Sequence, residues 1–206
     1  AQIRKSLRNE YLLSTKKAAL LTNITINEAK IIEAMPKDSC SLYISIPFCP
    51  TRCAYCSFIS FATKRLLSMI PEYLERLLRD LDGVFGVIRE RGLRLSTVYI
   101  GGGTPTTLSP ENLDILIKRV KECFDITKLR EFTVEAGRPD TITAKKLEIA
   151  REFGVTRISV NPQSLSDAVL EAIGRRHNVA QFFEAYEIAR ASGIRDINID
   201  LIAGLP

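Results

Sequence analysis

An α/β fold is predicted, a partial (β/α) TIM-like barrel with at least five parallel strands and a short N-terminal helical extension. Three observations point to it. From residue 41 onward, short β-branched runs alternate with segments of helical period, the rhythm of a parallel sheet. Each strand-like run ends near glycine, proline or a polar residue, and barrel enzymes gather their chemistry at the carboxyl ends of the strands. With 46% hydrophobic residues in 206, the chain has apolar mass for one sizeable core.

The strand-like runs are 42–46, 97–100, 132–135, 157–160 and 197–202. Between the first two, Leu74, Leu77, Leu78, Leu81, Phe85 and Ile88 recur on one helix face, with Pro71 where a first-turn proline belongs. Ser109 caps the next helix and Pro110 opens it. Its stripe of Leu113, Leu116, Ile117, Val120 and Phe124 is suited to pack on a sheet. Helices over 143–152, 166–173 and 179–192 complete the pattern, with Gly174 and Gly193 as left-handed caps and Phe182, Phe183 and Tyr186 as core. Five strands do not close a barrel of ordinary diameter, and the chain stops at Gly204-Leu205-Pro206, where a crossover helix is due; this reads as truncation. Residues 1–40 have helical period and no glycine, and read as the tail of a preceding domain or as a lid.

Composition narrows the class. No stretch of about 18 apolar residues occurs, and 1–9 lack the apolar block of a secretion signal, so a cytoplasmic protein without a membrane partner is expected. The net charge of +5 comes from 29 basic residues scattered over helical stretches, which does not mark a nucleic-acid binder. Of five cysteines, three crowd into 49–56, which suits a metal site in a reducing compartment; Cys40 and Cys123 read as structural thiols.

Cys49, Cys53 and Cys56 form a C-x3-C-x2-C array on the loop after the first strand. Four thiolates usually hold a [4Fe–4S] cluster, one per iron. Three leave one iron open to a small molecule. Structural zinc and accidental clustering are the alternatives. Zinc lacks an evident fourth ligand, because the single histidine, His177, is remote and Cys40 and Cys123 are not at finger spacings. A redox C-x2-C pair at Cys53 and Cys56 leaves Cys49 without a role. After the second strand, Gly101-Gly102-Gly103-Thr104-Pro105-Thr106 offers a backbone that a ligand can approach closely, or a simple tight turn.

The cysteine array, with an aromatic residue before its third cysteine, resembles the signature of the radical S-adenosylmethionine superfamily, and the glycine run is similar to that superfamily's glycine motif. Tyr43-x-x-Ile46-Pro47-Phe48-Cys49, the glycine loop, Val134-Glu135-Ala136, Arg157-Ile158-Ser159-Val160 with Gln163, and Asn198-Ile199-Asp200-Leu201-Ile202 follow in order. Together they resemble the oxygen-independent coproporphyrinogen III oxidase family over 41–206. Glu135-Ala136-Gly137-Arg138-Pro139-Asp140 and Asn161-Pro162-Gln163 look most like its coproporphyrinogen dehydrogenase-like branch.

The resemblance implies a radical SAM core over 41–206, incomplete at its carboxyl end. It implies a [4Fe–4S] cluster on Cys49, Cys53 and Cys56, and S-adenosylmethionine, whose reductive cleavage releases a 5′-deoxyadenosyl radical. Cofactor contacts carried over are Tyr43, Tyr55, Gly102, Gly103, Thr104, Glu135, Gln163, Arg175 and Asp200. Glu135 and Asp200 close strands, where carboxylates can accept from hydroxyls or an ammonium. Arg175 has a second reading, a solvated helix exit. The implied reaction is oxidative decarboxylation of coproporphyrinogen III, with a tetrapyrrole substrate and an electron donor such as flavodoxin. Two departures from the family pattern stand out, and the second, the missing cysteine, resembles the family's heme-chaperone branch, which is the alternative. Ser45 stands where many relatives have histidine, and Ser57-Phe58 where the oxidases place a further cysteine.

Overall fold

The computed structural model describes residues 2–58 and 60–205; Ala1 and Pro206, the outer limits of the spans set out above, lie outside the described residues. The chain divides into two compact units, 1–39 and 40–206. In the first, α1 (Gln2–Asn9) packs on α2 (Thr15–Glu33), and Arg4 Nη2 donates to Asn23 Oδ1 at 3.0 Å. Ser14 caps α2 by accepting from the Lys17 amide, one of the donors that a first helical turn leaves free.

The second unit is built on one sheet in the order β1-β2-β3-β4-β5: Ser39–Ile46, Arg94–Gly102, Glu131–Val134, Arg157–Ser159 and Asp196–Asn198. Strands β2 to β5 pair in parallel, with Val98 opposite Phe132, Val134 opposite Ile158, and Ile158 opposite Ile197. On β1, the Ser41 hydroxyl accepts from Thr97 at 2.8 Å, and the Tyr43 ring stacks on Tyr99 at 5.7 Å. Both contacts advance together along the two strands, the sense of a parallel pair. The crossovers carry α3 (Lys64–Leu67) and α4 (Ile70–Glu90), then α5 (Pro110–Cys123), α6 (Ala144–Glu152), and finally α7 (Asp167–Ala172) with α8 (Val179–Ala191).

One face of the sheet holds the core. Leu42, Ile44 and Ile46 of β1, Val98 and Ile100 of β2, and Phe132 and Val134 of β3 are buried with Leu81 and Phe85 of α4 and Leu113, Leu116, Ile117 and Val120 of α5. Period-two alternation sends the other side chains of the strands to the opposite face. That face is polar: Thr133 donates to Glu131 at 2.7 Å, and Arg157 joins Glu131 at 3.3 Å and Asn198 at 3.1 Å. The carboxyl ends of these strands therefore open beside a polar surface, unlike the packed interior of a closed TIM barrel.

Two sequence expectations are corrected. The fifth strand, expected over 197–202, is only Asp196–Asn198. Beyond it the backbone leaves the ladder and closes around Gln163, whose amide donates to the Asp200 carbonyl at 3.1 Å and whose carbonyl accepts from the Ile202 amide at 2.9 Å. Phe183 is not core; it is 52% exposed, because a step of one residue turns a helix by about 100° from the buried Phe182.

Candidate cofactor site

The cysteine loop leaves β1 at Pro47 and is tied down at several points. Cys49 donates its amide to the Phe61 carbonyl at 3.2 Å, and the Ala54 amide reaches the Ile173 carbonyl at 3.0 Å. The Thr51 hydroxyl donates to the Gly174 carbonyl at 3.2 Å, so the loop is braced against the end of α7. Gly174 has φ +75°, a left-handed cap as expected, and a Cβ there would come within 3.2 Å of the Arg52 carbonyl.

The glycine run packs on this loop. Amides of Gly103 and Thr104 donate to the carbonyls of Ile46 and Phe48, both at 2.8 Å. A Cβ on Gly103 would stand 2.7 Å from the Phe48 carbonyl oxygen and 3.0 Å from Cys49 Sγ. Gly102, at φ +105°, occupies the region that glycine alone enters readily. These are close approaches of backbone to backbone, which a tight turn by itself does not need.

Cys49, Cys53, Cys56, Tyr55, Gly102, Gly103, Thr104, Glu135, Gln163, Arg175 and Asp200 line one cleft of about 230 Å³ at the carboxyl ends of the strands. Tyr43 is the cofactor candidate that does not line it. Its ring is 56% exposed on the polar sheet face and stacked on Tyr99, which in turn hydrogen-bonds Glu135.

Each side chain has an identifiable hold. Thr104 Oγ1 lies 3.4 Å from Cys49 Sγ. Burial raises the Cys49 thiol above its usual range, against the opposing pull of Thr104 and Arg138. Burial also raises the Glu135 carboxyl; the Tyr99 hydrogen bond works the other way, and nearby Asp200 adds to the rise. Tyr99 is pushed up to about 12, chiefly by burial and then by Glu135. Gln163 adopts φ +68°, a left-handed backbone that a non-glycine residue enters at a cost, of the kind found at binding sites. Asp200 accepts from Asn198 at 2.7 Å, and its amide donates to Asn161 Oδ1 at 3.2 Å.

Arg175 is 9% exposed, not a solvated helix exit. Its Nη1 donates to the carbonyls of Gly137 at 3.2 Å and Asn161 at 3.1 Å, and Nη2 to Tyr55 Oη at 2.9 Å. It thus bridges the cysteine loop to the loops after β3 and β4, while its buried Nε has no hydrogen-bond partner among the described residues. Residues passed over at the sequence level also stand here: Thr51, Gly137, Arg138 and Asn161 line the cleft, and Tyr99 supports it. The rule that singled out Glu135 and Gln163, polar residues directly after a strand, applies equally to Arg138 and Asn161.

No group of three His, Cys, Asp or Glu among the described residues converges as a single metal ion requires. Tetrahedral zinc draws its sulfurs to about 3.8 Å from one another at a Zn–S length of about 2.3 Å. In a cubane each cysteine holds its own iron, so the thiols need only surround a common volume.

The family model described as Radical SAM superfamily matches residues 43–206. This chain belongs to that superfamily. Among curated radical SAM relatives, it is 39% identical over 208 aligned positions to the oxygen-independent coproporphyrinogen-III oxidase-like protein HemZ of Bacillus subtilis, covering 100% of this chain and 42% of that protein. It is also 39% identical over 177 positions to the heme chaperone HemW of Haemophilus influenzae, covering 84% of this chain and 45% of the relative. Its fold matches the solved structure of the radical SAM enzyme coproporphyrinogen III oxidase, HemN, of Escherichia coli. The TM-score is 0.72 and the identity 30%, over 81% of this chain and 37% of that one. The chain therefore spans less than half the length of the relatives it matches. No helix among the described residues is long and apolar enough to cross a membrane.

Membership implies a [4Fe–4S] cluster and S-adenosylmethionine, and the residues fit both. Three thiols from one anchored loop share the cleft, and neither Cys40 nor Cys123 lines it. The glycine backbone passes close enough to Cys49 that a methyl group would crowd its sulfur. The side chains of Glu135 and Asp200, two carboxylates, and of Gln163, an amide, line the same space, the acceptors and donors that an amino acid and a ribose require.

Proposed function

We propose that this chain is the radical SAM core of an oxygen-independent coproporphyrinogen III oxidase-like enzyme, with Cys49, Cys53 and Cys56 as the cluster ligands. The observation that carries the reading is the cleft itself, where those thiols and the glycine loop face Glu135, Gln163 and Asp200. When bound, the cluster supplies the single electron for cleavage of the S-adenosylmethionine sulfonium. The chain's own residues hold and orient. Glu135 accepts from the methionine ammonium or from ribose hydroxyls, its raised carboxyl being restored to the ionised form by a cation. Gln163 and Asp200 take the remaining hydroxyls. Arg175, locked to Gly137, Asn161 and Tyr55, keeps the rim of the cleft in place.

The overall reaction is conversion of two propionates to vinyl groups, giving protoporphyrinogen IX; each propionate would give up CO2, one hydrogen atom to the 5′-deoxyadenosyl radical, which leaves as 5′-deoxyadenosine, and one electron to a one-electron acceptor. A low-potential flavodoxin is the fitting donor, since its acidic surface complements a chain of net charge +5. In this reading residues 41–206 form the radical SAM core and 1–40 a helical extension.

A second reading, a heme chaperone that keeps the cluster and S-adenosylmethionine, is favoured by Ser57 at the position of the oxidases' further cysteine and by the 39% identity to HemW. Product analysis separates the two. Anaerobic incubation of the reconstituted protein with coproporphyrinogen III, S-adenosylmethionine and reduced flavodoxin is expected to yield protoporphyrinogen IX and two CO2. Tight heme binding with no vinyl product would replace the enzyme reading with the chaperone one.

A further inference from the structure

Arg138 is the most deeply buried charged side chain at the cleft, 2% exposed, and nothing in the cofactor set gives it a role. Its Nε and Nη2 engage both oxygens of Asp140, at 3.0 and 3.2 Å. A guanidinium is flat and rigid, so fixing that edge fixes where the third nitrogen points. Nη1 points at the cysteine loop, donating to Thr51 Oγ1 at 2.9 Å and to Cys53 Sγ at 3.6 Å. Pro139 sits between the two charged residues inside a one-turn 3-10 segment, Pro139–Thr141, which presets the short span that lets Arg138 and Asp140 form their fork. The Thr141 hydroxyl donates back to the Arg138 carbonyl at 2.9 Å.

Such a pair is costly to bury and has no evident packing advantage over an apolar one. It does bring a permanent, oriented cation into hydrogen-bond reach of one of the three sulfurs, while its charge is also felt at Cys49. The others differ: Cys49 has the neutral Thr104 hydroxyl at 3.4 Å, and no comparable charged donor is found at Cys56 among the described residues.

We infer that Arg138 is a positioning residue that acts through Cys53, raising the reduction potential of the cluster held there; this rests on the cluster reading above. An N–H···S hydrogen bond and a nearby positive charge both favour the state carrying the added electron. Asp140 acts as the orienting partner.

The test compares reduction potentials by redox titration, followed by electron paramagnetic resonance, in the anaerobically reconstituted protein. Arg138→Gln alone would strand a buried carboxylate, so it is combined with Asp140→Asn, which removes both charges and leaves two polar side chains that can pair with each other. At equal iron and sulfide content, the double variant is expected to show about a tenfold lower reduction equilibrium constant, about 59 mV more negative for one electron. Equal potentials at equal loading overturn the inference and leave the cluster reading standing. Reduced loading with an unchanged potential in the loaded fraction also overturns it, since Arg138 is then scaffold only. If the double variant takes up no cluster, Arg138→Met with Asp140→Asn, which also removes both charges and fills the site with a long apolar side chain, carries the same comparison: a potential below the parent's supports the inference, and an equal one overturns it. A parent protein that takes up no cluster fails the proposed function itself, and is recognised before any variant is measured.

Discussion

His177 shows how one buried side chain registers the charges beside it. It is 2% exposed, with the Pro162 backbone beside its ring. Burial pushes its pKa down to about 4, with Arg175 and Arg138 adding to the shift and Asp140 opposing it. The folded value lies below the ordinary 6.5, so the unfolded chain binds more protons throughout that interval. Stability is complete above about pH 6.5 and falls as pH drops toward 4. Between pH 7.5 and 5 the loss from this group is on the order of 2 kcal/mol. Urea midpoints at the two pH values measure it, and His177→Phe is expected to flatten the difference. Gly103→Ala tests the opposite property, space. Its methyl would push on Phe48 and Cys49, so a loss of about 1–3 kcal/mol is expected, together with lower iron uptake. Among the thiols, Cys53→Ala is expected to abolish cluster uptake and Cys123→Ala to preserve it, both read by iron content and absorbance. The glycine run was legible as a ligand loop or a turn. Its contact with Cys49 was not, because a string of glycines does not say which backbone it approaches. Arg138 was visible only as part of a family pattern; its partner Asp140 is two residues away, and nothing linear shows that the pair turns toward Cys53.

At the scale of elements, helix α8 begins beside His177 and is held by a reciprocal cap. Asn178 accepts from the Gln181 amide at 2.8 Å, and the Gln181 side chain accepts from the Asn178 amide at 2.9 Å. Asn178→Ala is expected to cost about 1 kcal/mol, measured by urea unfolding at pH 7. The capped, periodic helices were the most legible part of the sequence. Pro110 and Ser109 mark the start of α5, and its apolar stripe is buried as the spacing implies. Strand ends were less so. The run 197–202 has strand-like residues throughout, yet its second half bonds to the loop at Gln163 instead of extending β5. Local propensity registers β character there, whereas the partner of each amide is decided by the loop after β4.

Across the whole molecule, five parallel strands bring residues from every βα loop to one end, and the polar second face of the sheet leaves that end open. This topology was legible from the alternation of strand and helix signals alone, whereas the cofactor chemistry rested on the resemblance carried by the cysteine array, the glycine run and the motifs after them. The chain spans less than half the length of the HemZ and HemW relatives and is 39% identical to each, so the overlap alone does not choose between decarboxylase and heme chaperone. The central claim is that three cysteines hold a cluster with an iron open to S-adenosylmethionine. Its most direct test is the electron paramagnetic resonance spectrum of the anaerobically reconstituted, reduced protein with and without S-adenosylmethionine. A [4Fe–4S]⁺ signal that shifts on addition of the cofactor is the predicted result; a signal that does not respond, or no cluster at all, would contradict it.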